Sequence, residues 1–458
     1  MGCGMASGAD RDGRGGGGHR PDRRGGAPGH RRGGPPPHER PARPAPEEDR
    51  AAAPLVELDP GLLGQPPIQL RLRAGAEQRV AGGHCWVFSN ELAGHARDLP
   101  VGGAVDVLDA RGRFLGRGTA NPHSLIAVRI LTRRPDEDID SVGFYTARIA
   151  EAQALRARLL PGRSSYRLVS SEGDGLPGLI VDRFADVLAV QLGTVGMELR
   201  KPLLEAALRA ATTATAAVLR NEAPSRSLEG LPRVSAPWFG PIPDRVLLEE
   251  GGVQLWADVV GGQKTGFFFD QAENRAFSHS RVAGCSTLDV YANTGAWGLG
   301  ALVHGARSCA FVEINPATSA LIAANAAQNG VADRAEVHTG DARAVMEDLR
   351  AQGARYDVVF LDPPAFAKTR AKAPVALRAY AQINALAMQL VAPGGLLFTS
   401  SCSYHVHEER FLDAVREAAR LAGRRVRVVR RGEQAPDHPV DPAVPESRYL
   451  KHLVLYLP

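Results

Sequence analysis

The chain has 458 residues, of which 44% are hydrophobic and 23% are charged. These values are ordinary for globular domains, and they exclude collagen-like, coiled-coil and wholly disordered chains. At roughly 150 residues per domain, the length predicts about three folding units. The formal net charge of +5 is compatible with a polyanionic partner but does not identify one.

The sequence contains no apolar run long enough for a transmembrane helix, and its first residues lack the apolar segment of a signal peptide. We therefore expect no membrane association. The five cysteines are widely spaced and form no CxxC pair, which argues against a disulfide framework and against a zinc or other metal site. This usage favours a reducing compartment, and we expect the protein to be cytoplasmic.

Residues 1–66 differ from the rest of the chain in composition. Positions 1–50 include 13 Gly, 8 Pro and 10 Arg, with few residues that could form a core. We expect this tail to be disordered. One interpretation is an RNA-tethering arm, and the other is a dispensable extension. The 7 acidic residues of the same stretch cancel most of its charge, which favours the extension.

Residues 67–138 are predicted to form a small β-barrel. Short apolar runs at 105–108, 114–115 and 125–131 read as strands, and turn signals separate them. Seven of the arginines in this segment could either contact RNA phosphates or form a solvated face. They are Arg71, Arg73, Arg79, Arg111, Arg113, Arg117 and Arg129.

Residues 139–245 are predicted to form a central α+β domain without a chemistry-specific motif. A helix over 142–160 would bury Ile149, Leu155, Leu159 and Leu160. Strands near 179–182, 187–191 and 216–220 and a helix near 196–211 complete the segment.

Residues 246–458 alternate predicted strands and helices. This alternation is typical of an α/β fold with a mainly parallel, doubly wound sheet, in which ligands bind at the carboxyl ends of the strands. The predicted strands are Ser286–Tyr291, Ser308–Glu313, Ala335–His338, Tyr356–Leu361, Leu396–Ser400, Arg425–Arg430 and Arg448–Tyr456.

The first three of these strands end in residues suited to a nucleoside. The first leads into a glycine-containing loop, the second ends at Glu313, and the third is followed by Asp341. An acid at the end of the second strand commonly accepts hydrogen bonds from ribose hydroxyls. The G-x-G-x-x-G fingerprint is absent, so the pattern favours S-adenosylmethionine over a dinucleotide. From the loop we expect Asp289, Tyr291, Asn293 and Gly295 to bind this cofactor.

The fourth strand is followed by Asp362-Pro363-Pro364-Ala365-Phe366. The double proline fixes a rigid loop, so Asp362 and the backbone carbonyls can face a planar base while Phe366 stacks on it. Such a motif is typical of methyltransferases that act on planar nitrogenous groups.

Cys402 follows the fifth strand and is expected at the same edge of the sheet as Asp362. A thiolate there could attack C6 of a pyrimidine and make C5 nucleophilic toward an activated methyl group. The alternative is that Cys402 is a small packed residue, as most free cysteines are.

The segment 261–275 is rich in glycine, polar and aromatic residues and resembles a binding loop. We expect Thr265 and Asp270 to contact the cofactor, and Lys264 and Arg275 to contact the substrate. Asp270 could instead cap the following helix.

Together these motifs resemble those of the bacterial 23S ribosomal RNA cytosine-5 methyltransferases, over about residues 68–458. The resemblance is carried by the segments 84–90, 174–182, 262–271, 362–366 and 401–403. It implies an N-terminal PUA domain, a central α+β domain and a C-terminal Rossmann-like methyltransferase domain. It also implies that Cys402 is the nucleophile, that Asp362 orients the cytosine, and that Glu313 and Asp341 hold the ribose and adenine of S-adenosylmethionine. Cys85, Ala272 and the loop 292–297 depart from the usual pattern.

The predicted partner is large-subunit ribosomal RNA, and a homodimer is left open. Two other functions compete with C5 methylation of cytosine. Methylation of a purine nitrogen uses similar Asp-Pro-Pro motifs but needs no cysteine adduct. A non-catalytic RNA-binding assembly factor is the third candidate, and the acids at three strand ends argue against it.

Overall fold

The computed structural model describes residues 55–367 and 371–458. Most of the predicted tail lies outside these residues. The predicted boundary at residue 66 is too late, because residues 55–66 already contact the folded chain. The backbone N–H of Val56 donates to the carbonyl of Gly230, and that of Gly64 donates to the Asp140 carboxylate. A 3₁₀ turn, Pro60–Leu62, lies between them.

The first folded segment is a five-stranded sheet with one short helix. Its elements are β1 (Ile68–Arg71), α1 (Glu77–Ala81), β2 (Trp86–Phe88), β3 (Ala104–Leu108), β4 (Phe114–Ala120) and β5 (Ile126–Thr132). The strand order is β1-β3-β4-β5-β2, with β1 and β3 parallel and the other pairs antiparallel. A bridge between Leu72 and Leu92 joins the two edge strands beyond their ends. The sheet therefore closes into the predicted barrel.

The seven arginines named from the sequence do not act as one group. Arg79, Arg117 and Arg129 are largely buried in ion pairs with carboxylates, and Arg73 donates to a backbone carbonyl. These four hold the barrel and its neighbours together. Arg71, Arg111 and Arg113 are exposed, and Arg113 pairs with Asp109.

The central segment is an α+β layer. Its elements are α2 (Val142–Leu159), β6 (Ser165–Ser170), β7 (Leu179–Phe184), β8 (Val187–Leu192), α3 (Val195–Leu199), α4 (Lys201–Ala211), β9 (Ala216–Asn221), α5 (Ser225–Leu228) and β10 (Val234–Phe239). The strands follow the order β10-β9-β8-β7-β6, and only β8 and β9 are parallel.

Two details of this segment differ from the predictions. Helix α2 buries Phe144, Tyr145 and Ile149, whereas Leu155 and Leu159 are 37% and 46% exposed. The predicted helix near 196–211 is two helices, α3 and α4, because the chain leaves the helical conformation at Arg200 just before Pro202.

The remaining residues form a hairpin and a large α/β unit. These elements are β11 (Val246–Glu250), β12 (Val253–Ala257), α6 (Ala272–His279), β13 (Ser286–Val290), α7 (Ala296–Val303), β14 (Ser308–Glu313), α8 (Pro316–Gln328), β15 (Ala335–Thr339), α9 (Ala342–Ala351), β16 (Tyr356–Leu361), α10 (Ala373–Leu390), β17 (Val391–Ser401), α11 (Glu408–Ala422), β18 (Arg427–Gly432) and β19 (Lys451–Leu457). All seven predicted strands are present. The largest shift is in β17, which begins at Val391 rather than Leu396.

The seven-stranded sheet has the order β15-β14-β13-β16-β17-β19-β18. Its first five strands are parallel and β19 is antiparallel to both neighbours. The order reverses between β13 and β16, and ligands of such sheets bind outside the carboxyl ends at this switch point. Apolar clusters cover both faces of the sheet, which holds these strand ends in a fixed arrangement.

Neither the two 18-residue helices nor any shorter helix in the described residues has the apolar length that a membrane crossing needs. The same residues contain no group of three or more His, Cys, Asp or Glu side chains placed to hold a metal ion.

Candidate active site

A cavity of about 470 Å³ lies at the carboxyl ends of the five parallel strands. The structure brings most of the predicted site residues into its wall. They are Lys264, Asp270, Arg275, Tyr291, Asn293, Glu313, Asp341, Asp362, Pro363, Pro364 and Cys402. Thr265, Asp289, Gly295 and Phe366 are not in the wall, and their positions are described below.

The loop after β13 is strained where it passes Glu313. Tyr291 and Asn293 both have positive φ, at 64° and 49°, as does Gly295 at 85°. Non-glycine residues rarely adopt this conformation, and such residues cluster at functional sites. One Glu313 oxygen accepts from the backbone N–H of Asn293, and the other accepts from that of Asn315. These bonds fix the carboxylate at the cavity with its remaining lone pairs available.

Asp341 has two roles at the end of β15. Its Oδ1 accepts from the backbone N–H groups of Arg343 and Ala344, which caps helix α9. The side chain also lines the cavity. The capping bonds therefore orient the carboxylate, and its second oxygen is left for a ligand.

Asp289 lies beneath the glycine loop rather than in the cavity. Its Oδ2 accepts from the backbone N–H of Gly298 at 2.9 Å. The side chain is 1% exposed, and this burial raises its pKa to about 7. Asp289 and Gly295 thus shape the loop, and the prediction that they contact the cofactor directly is not supported by their positions.

Asp362 is the first residue after β16 and is held by Gln271. The Gln271 Nε2 donates to Asp362 Oδ2 at 3.0 Å and to Ser400 Oγ at 2.9 Å. The Gln271 Oε1 in turn accepts from Asn274 at 2.8 Å, which fixes the orientation of the amide. Burial and the charge of Asp270 raise the pKa of Asp362 to about 6, although Gln271 opposes this shift.

Cys402 lies directly after β17 in the same cavity. Burial raises the pKa of its thiol, whereas the charges of Lys264 and Lys451 lower it. Lys451 is itself buried, and its Nζ donates to the carbonyls of Ser403 and Tyr449 at 2.6 and 2.7 Å. The Lys451 amine is therefore fixed beside the loop that carries Cys402, and burial lowers its pKa to about 8. The other described cysteines, Cys85, Cys285 and Cys309, lie outside this cavity.

In the loop 261–275, the expected roles of two residues change. Thr265 is 1% exposed and donates to Asp182 of the central segment, so it joins two parts of the chain instead of facing the cavity. Asp270 does not cap helix α6, whose N-cap residue is Gln271. Instead, the Oδ2 of Asp270 accepts a hydrogen bond from the Tyr449 hydroxyl at 2.7 Å.

Arg275 lines the cavity, but its guanidinium is already paired. It forms two hydrogen bonds with Glu250, at 2.5 and 2.8 Å, and one with the carbonyl of Phe268. Phe366 packs instead on Tyr380, with ring centroids 4.7 Å apart, and faces a neighbouring cavity. The prediction that Phe366 stacks on the substrate is therefore not supported by this arrangement.

The site residues predicted from the sequence do not include Tyr449, Lys451 or Gln271. Lys451 begins the last strand, β19, and Tyr449 lies two residues before it. Strand β19 lies next to β17 only because of the sheet order. No local pattern marks Tyr449 or Lys451. Gln271 lies within the segment 262–271, and the resemblance carried by that segment was the available signal.

Two families match parts of the chain. One is described as a PUA-like domain and matches residues 70–133. The other is described as conserved hypothetical protein 95 and matches residues 266–401. The first match coincides with the closed barrel and confirms the PUA-like domain that the resemblance implied.

The chain is also similar to solved structures of low sequence identity. A candidate methyltransferase crystallised with SAH has a TM-score of 0.73 and 18% identity, covering 85% of this chain and 100% of that one. A candidate SAM-dependent methyltransferase from Streptococcus mutans has a TM-score of 0.72, with the same identity and coverage. These likenesses confirm the fold.

Relatives of higher identity carry one shared name, ribosomal RNA large subunit methyltransferase I. The relative from Shewanella denitrificans is 40% identical over 392 residues, that from Pseudoalteromonas atlantica 36% over 389, and that from Cronobacter sakazakii 35% over 388. Each alignment covers 84% of this chain and 98% of the relative. The chain therefore belongs to the ribosomal RNA large subunit methyltransferase I family.

Proposed function

We propose that this protein transfers a methyl group from S-adenosylmethionine to C5 of a cytosine in 23S ribosomal RNA. The observation that carries this proposal is that Cys402 and Asp362 line the same cavity as Glu313 and Asp341. A nucleophile and a base-orienting carboxylate thus lie beside two acids suited to a nucleoside. The names of the relatives support the class of RNA.

The residues of the cavity fit S-adenosylmethionine. Glu313 is oriented by two backbone N–H groups and is suited to ribose hydroxyls. Asp341 is fixed by its capping bonds and is suited to the exocyclic amine of adenine. When bound, S-adenosylmethionine supplies an electrophilic methyl group on a sulfonium.

Asp362 orients the target cytosine. In its ionised form, the carboxylate accepts a hydrogen bond from the N4 amine of the base, and Gln271 prevents it from turning away. Pro363 and Pro364 keep the following loop rigid, since neither has a backbone N–H and both have fixed φ. The base must leave its stack to enter the cavity, as in other enzymes that modify nucleobases.

Cys402 supplies the nucleophile. Its thiolate adds to C6 of the cytosine, and the electron pair of the C5–C6 double bond becomes available at C5. Once C5 carries the methyl group, a base removes the C5 proton. The electrons of that C–H bond restore the double bond and expel the Cys402 thiolate. Lys264 and Lys451 support the thiolate by their positive charge.

The PUA-like barrel holds the RNA outside the cavity. Arg71, Arg111 and Arg113 are exposed and are suited to phosphate contacts. An activity on ribosomal RNA also agrees with the cytoplasmic location expected from the cysteine usage.

The test is nucleoside mass spectrometry on unmodified 23S ribosomal RNA treated with the protein and S-adenosylmethionine that carries a deuterated methyl group. We expect labelled 5-methylcytidine with the wild type and with Cys285→Ala, but not with Cys402→Ala. Cys285 is the matched control because it lies outside the cavity. A labelled purine that persists in Cys402→Ala would replace the proposal with nitrogen methylation.

A further inference from the structure

A second cavity, of about 530 Å³, adjoins the catalytic cavity. Its far wall comes from the central segment and includes Ser170, Gln191 and Ala223. None of these three lines the catalytic cavity. The two cavities share Lys264, Phe267, Phe268, Asp270 and Tyr449, so these side chains form a wall common to both. The proposed reaction uses only the catalytic cavity.

The shared wall contains a carboxylate oxygen that lacks a donor. Asp270 is 6% exposed, and its Oδ2 accepts from Tyr449. None of the described residues donates to its Oδ1. Although burial opposes ionisation, the charges of Lys264 and His438 keep the pKa of Asp270 below its ordinary value. A buried, ionised oxygen without a donor is costly, which indicates that a ligand supplies one.

The shared wall also presents an aromatic ring beside a cation. Phe268 is half-buried, and the Lys264 Nζ lies 4.6 Å from the centroid of its ring. Lys264 is exposed and has a φ of 53°, which turns the chain sharply at this point. Aromatic rings stack on nucleobases, and lysines bind phosphates. A phosphodiester that joins nucleosides in the two cavities would pass this wall.

We propose that the second cavity binds an unpaired RNA nucleotide adjacent to the methylated cytosine, and that this nucleotide has a base with an exocyclic amine. This inference rests on the proposed function, which places the cytosine in the first cavity. The amine donates to Asp270 Oδ1, the base stacks on Phe268, and the linking phosphodiester contacts Lys264.

The first test compares two RNA heptamers with a single central cytosine. In one, both neighbours of the cytosine are adenosine, and in the other they are purine riboside, which lacks only the exocyclic amine. We expect the wild type to bind the adenosine heptamer about tenfold more tightly at fixed salt, in the range of a hydrogen bond to a charged group. Fluorescence anisotropy measures both affinities. Equal affinities would overturn the inference without requiring any variant.

The second test fills the cavity. Ala223 lines the second cavity but not the catalytic cavity. Ala223→Trp should therefore weaken binding of the adenosine heptamer by about tenfold and abolish the preference over purine riboside. Ala223→Ser is the matched control and should bind like the wild type. Calorimetry with S-adenosylhomocysteine shows whether each variant retains the catalytic cavity. Wild-type affinity and preference in a folded Ala223→Trp would contradict the inference.

These measurements are independent of methyl transfer. If the wild type produces no 5-methylcytidine but still prefers the adenosine heptamer, the proposed methylation fails while the second nucleotide site remains. If the adenosine preference is missing, the second nucleotide site alone fails.

Discussion

Gln271 and Asp362 are joined by a hydrogen bond of 3.0 Å between a side-chain amide and a carboxylate that come from different parts of the chain. The bond stabilises the ionised form of Asp362, whose pKa burial raises to about 6. The amide cannot reverse, because Asn274 donates to its oxygen. The orientation and the charge of Asp362 therefore both depend on Gln271.

Gln271→Leu should shift the acid limb of the pH–activity profile to higher pH. If the ionised Asp362 accepts the cytosine amine, activity falls as the pH falls through about 6. Removing the Gln271 bond raises the pKa of Asp362 further, so the loss begins at higher pH. The measurement is kcat/KM for 23S ribosomal RNA between pH 5 and pH 9.

Asn274→Ala is the companion variant and should shift the acid limb in the same direction by a smaller amount. In this variant Gln271 can still donate to Asp362, but Asn274 no longer fixes the orientation of the Gln271 amide. An acid limb at the wild-type position in Gln271→Leu would show that this bond does not control the titration of Asp362.

Lys451→Met should make the Cys402 thiol less reactive. The charge of Lys451 lowers the pKa of Cys402, so its removal raises that pKa and reduces the thiolate fraction at a given pH. Burial lowers the pKa of Lys451 to about 8, so the comparison is made below that pH. We expect alkylation of Cys402 by iodoacetamide at pH 7 to slow several-fold, as measured by peptide mass spectrometry.

Lys451→Arg keeps the positive charge and should retain most of the alkylation rate. Cys285 in the same samples serves as an internal reference. If Lys451→Met and the wild type are alkylated equally fast at Cys402, Lys451 has no electrostatic role there.

Gly298→Ala should destabilise the protein by about 1–3 kcal/mol, the usual range for overpacking a core. A Cβ at this position would lie 2.3 Å from a ring atom of Phe311 and 2.5 Å from the sulfur of Cys309. Both neighbours are buried and cannot move aside. Urea unfolding followed by circular dichroism measures the loss.

Gly143→Ala is the matched control, since a Cβ there meets no atom within 4 Å and the residue lies in helix α2. It should stabilise the protein by up to about 1 kcal/mol. Equal effects of the two substitutions would contradict the close packing of α7 on β14.

Asp289→Asn should change how stability depends on pH. Burial raises the folded pKa of Asp289 to about 7 from the ordinary value of 3.8, so the folded state binds the proton more tightly than the unfolded state. This group therefore lowers the free energy of unfolding as the pH rises from about 4 to about 7. Over that interval, the free energy of unfolding of the wild type should fall by up to about 4 kcal/mol relative to that of Asp289→Asn.

The measurement compares the free energy of unfolding of the wild type with that of Asp289→Asn at each pH, because the other carboxylates contribute equally to both proteins. A difference that stays constant between pH 4 and pH 8 would mean that Asp289 titrates normally in the folded chain.

The sequence predicted the α/β sheet and the edge at which ligands bind, because apolar runs and their polar ends are local patterns. Glu313, Asp341, Asp362 and Cys402 each follow a parallel strand, and parallel strands bring their carboxyl ends to one edge. Asp289 was expected in the cavity for the same reason. The sequence could not show that its carboxylate turns beneath the loop to the Gly298 N–H.

What the sequence by itself determined is therefore the set of strand ends and the residue types on them, which depend on periodicity along the chain. Only the tertiary structure decided which side chains meet there. Lys451 lies 49 residues after Cys402 and reaches it because the antiparallel strand β19 pairs with β17, placing Lys451 opposite Ser401. Phe366 turned from the expected cavity to Tyr380 because packing, which is non-local, offered it a buried aromatic partner.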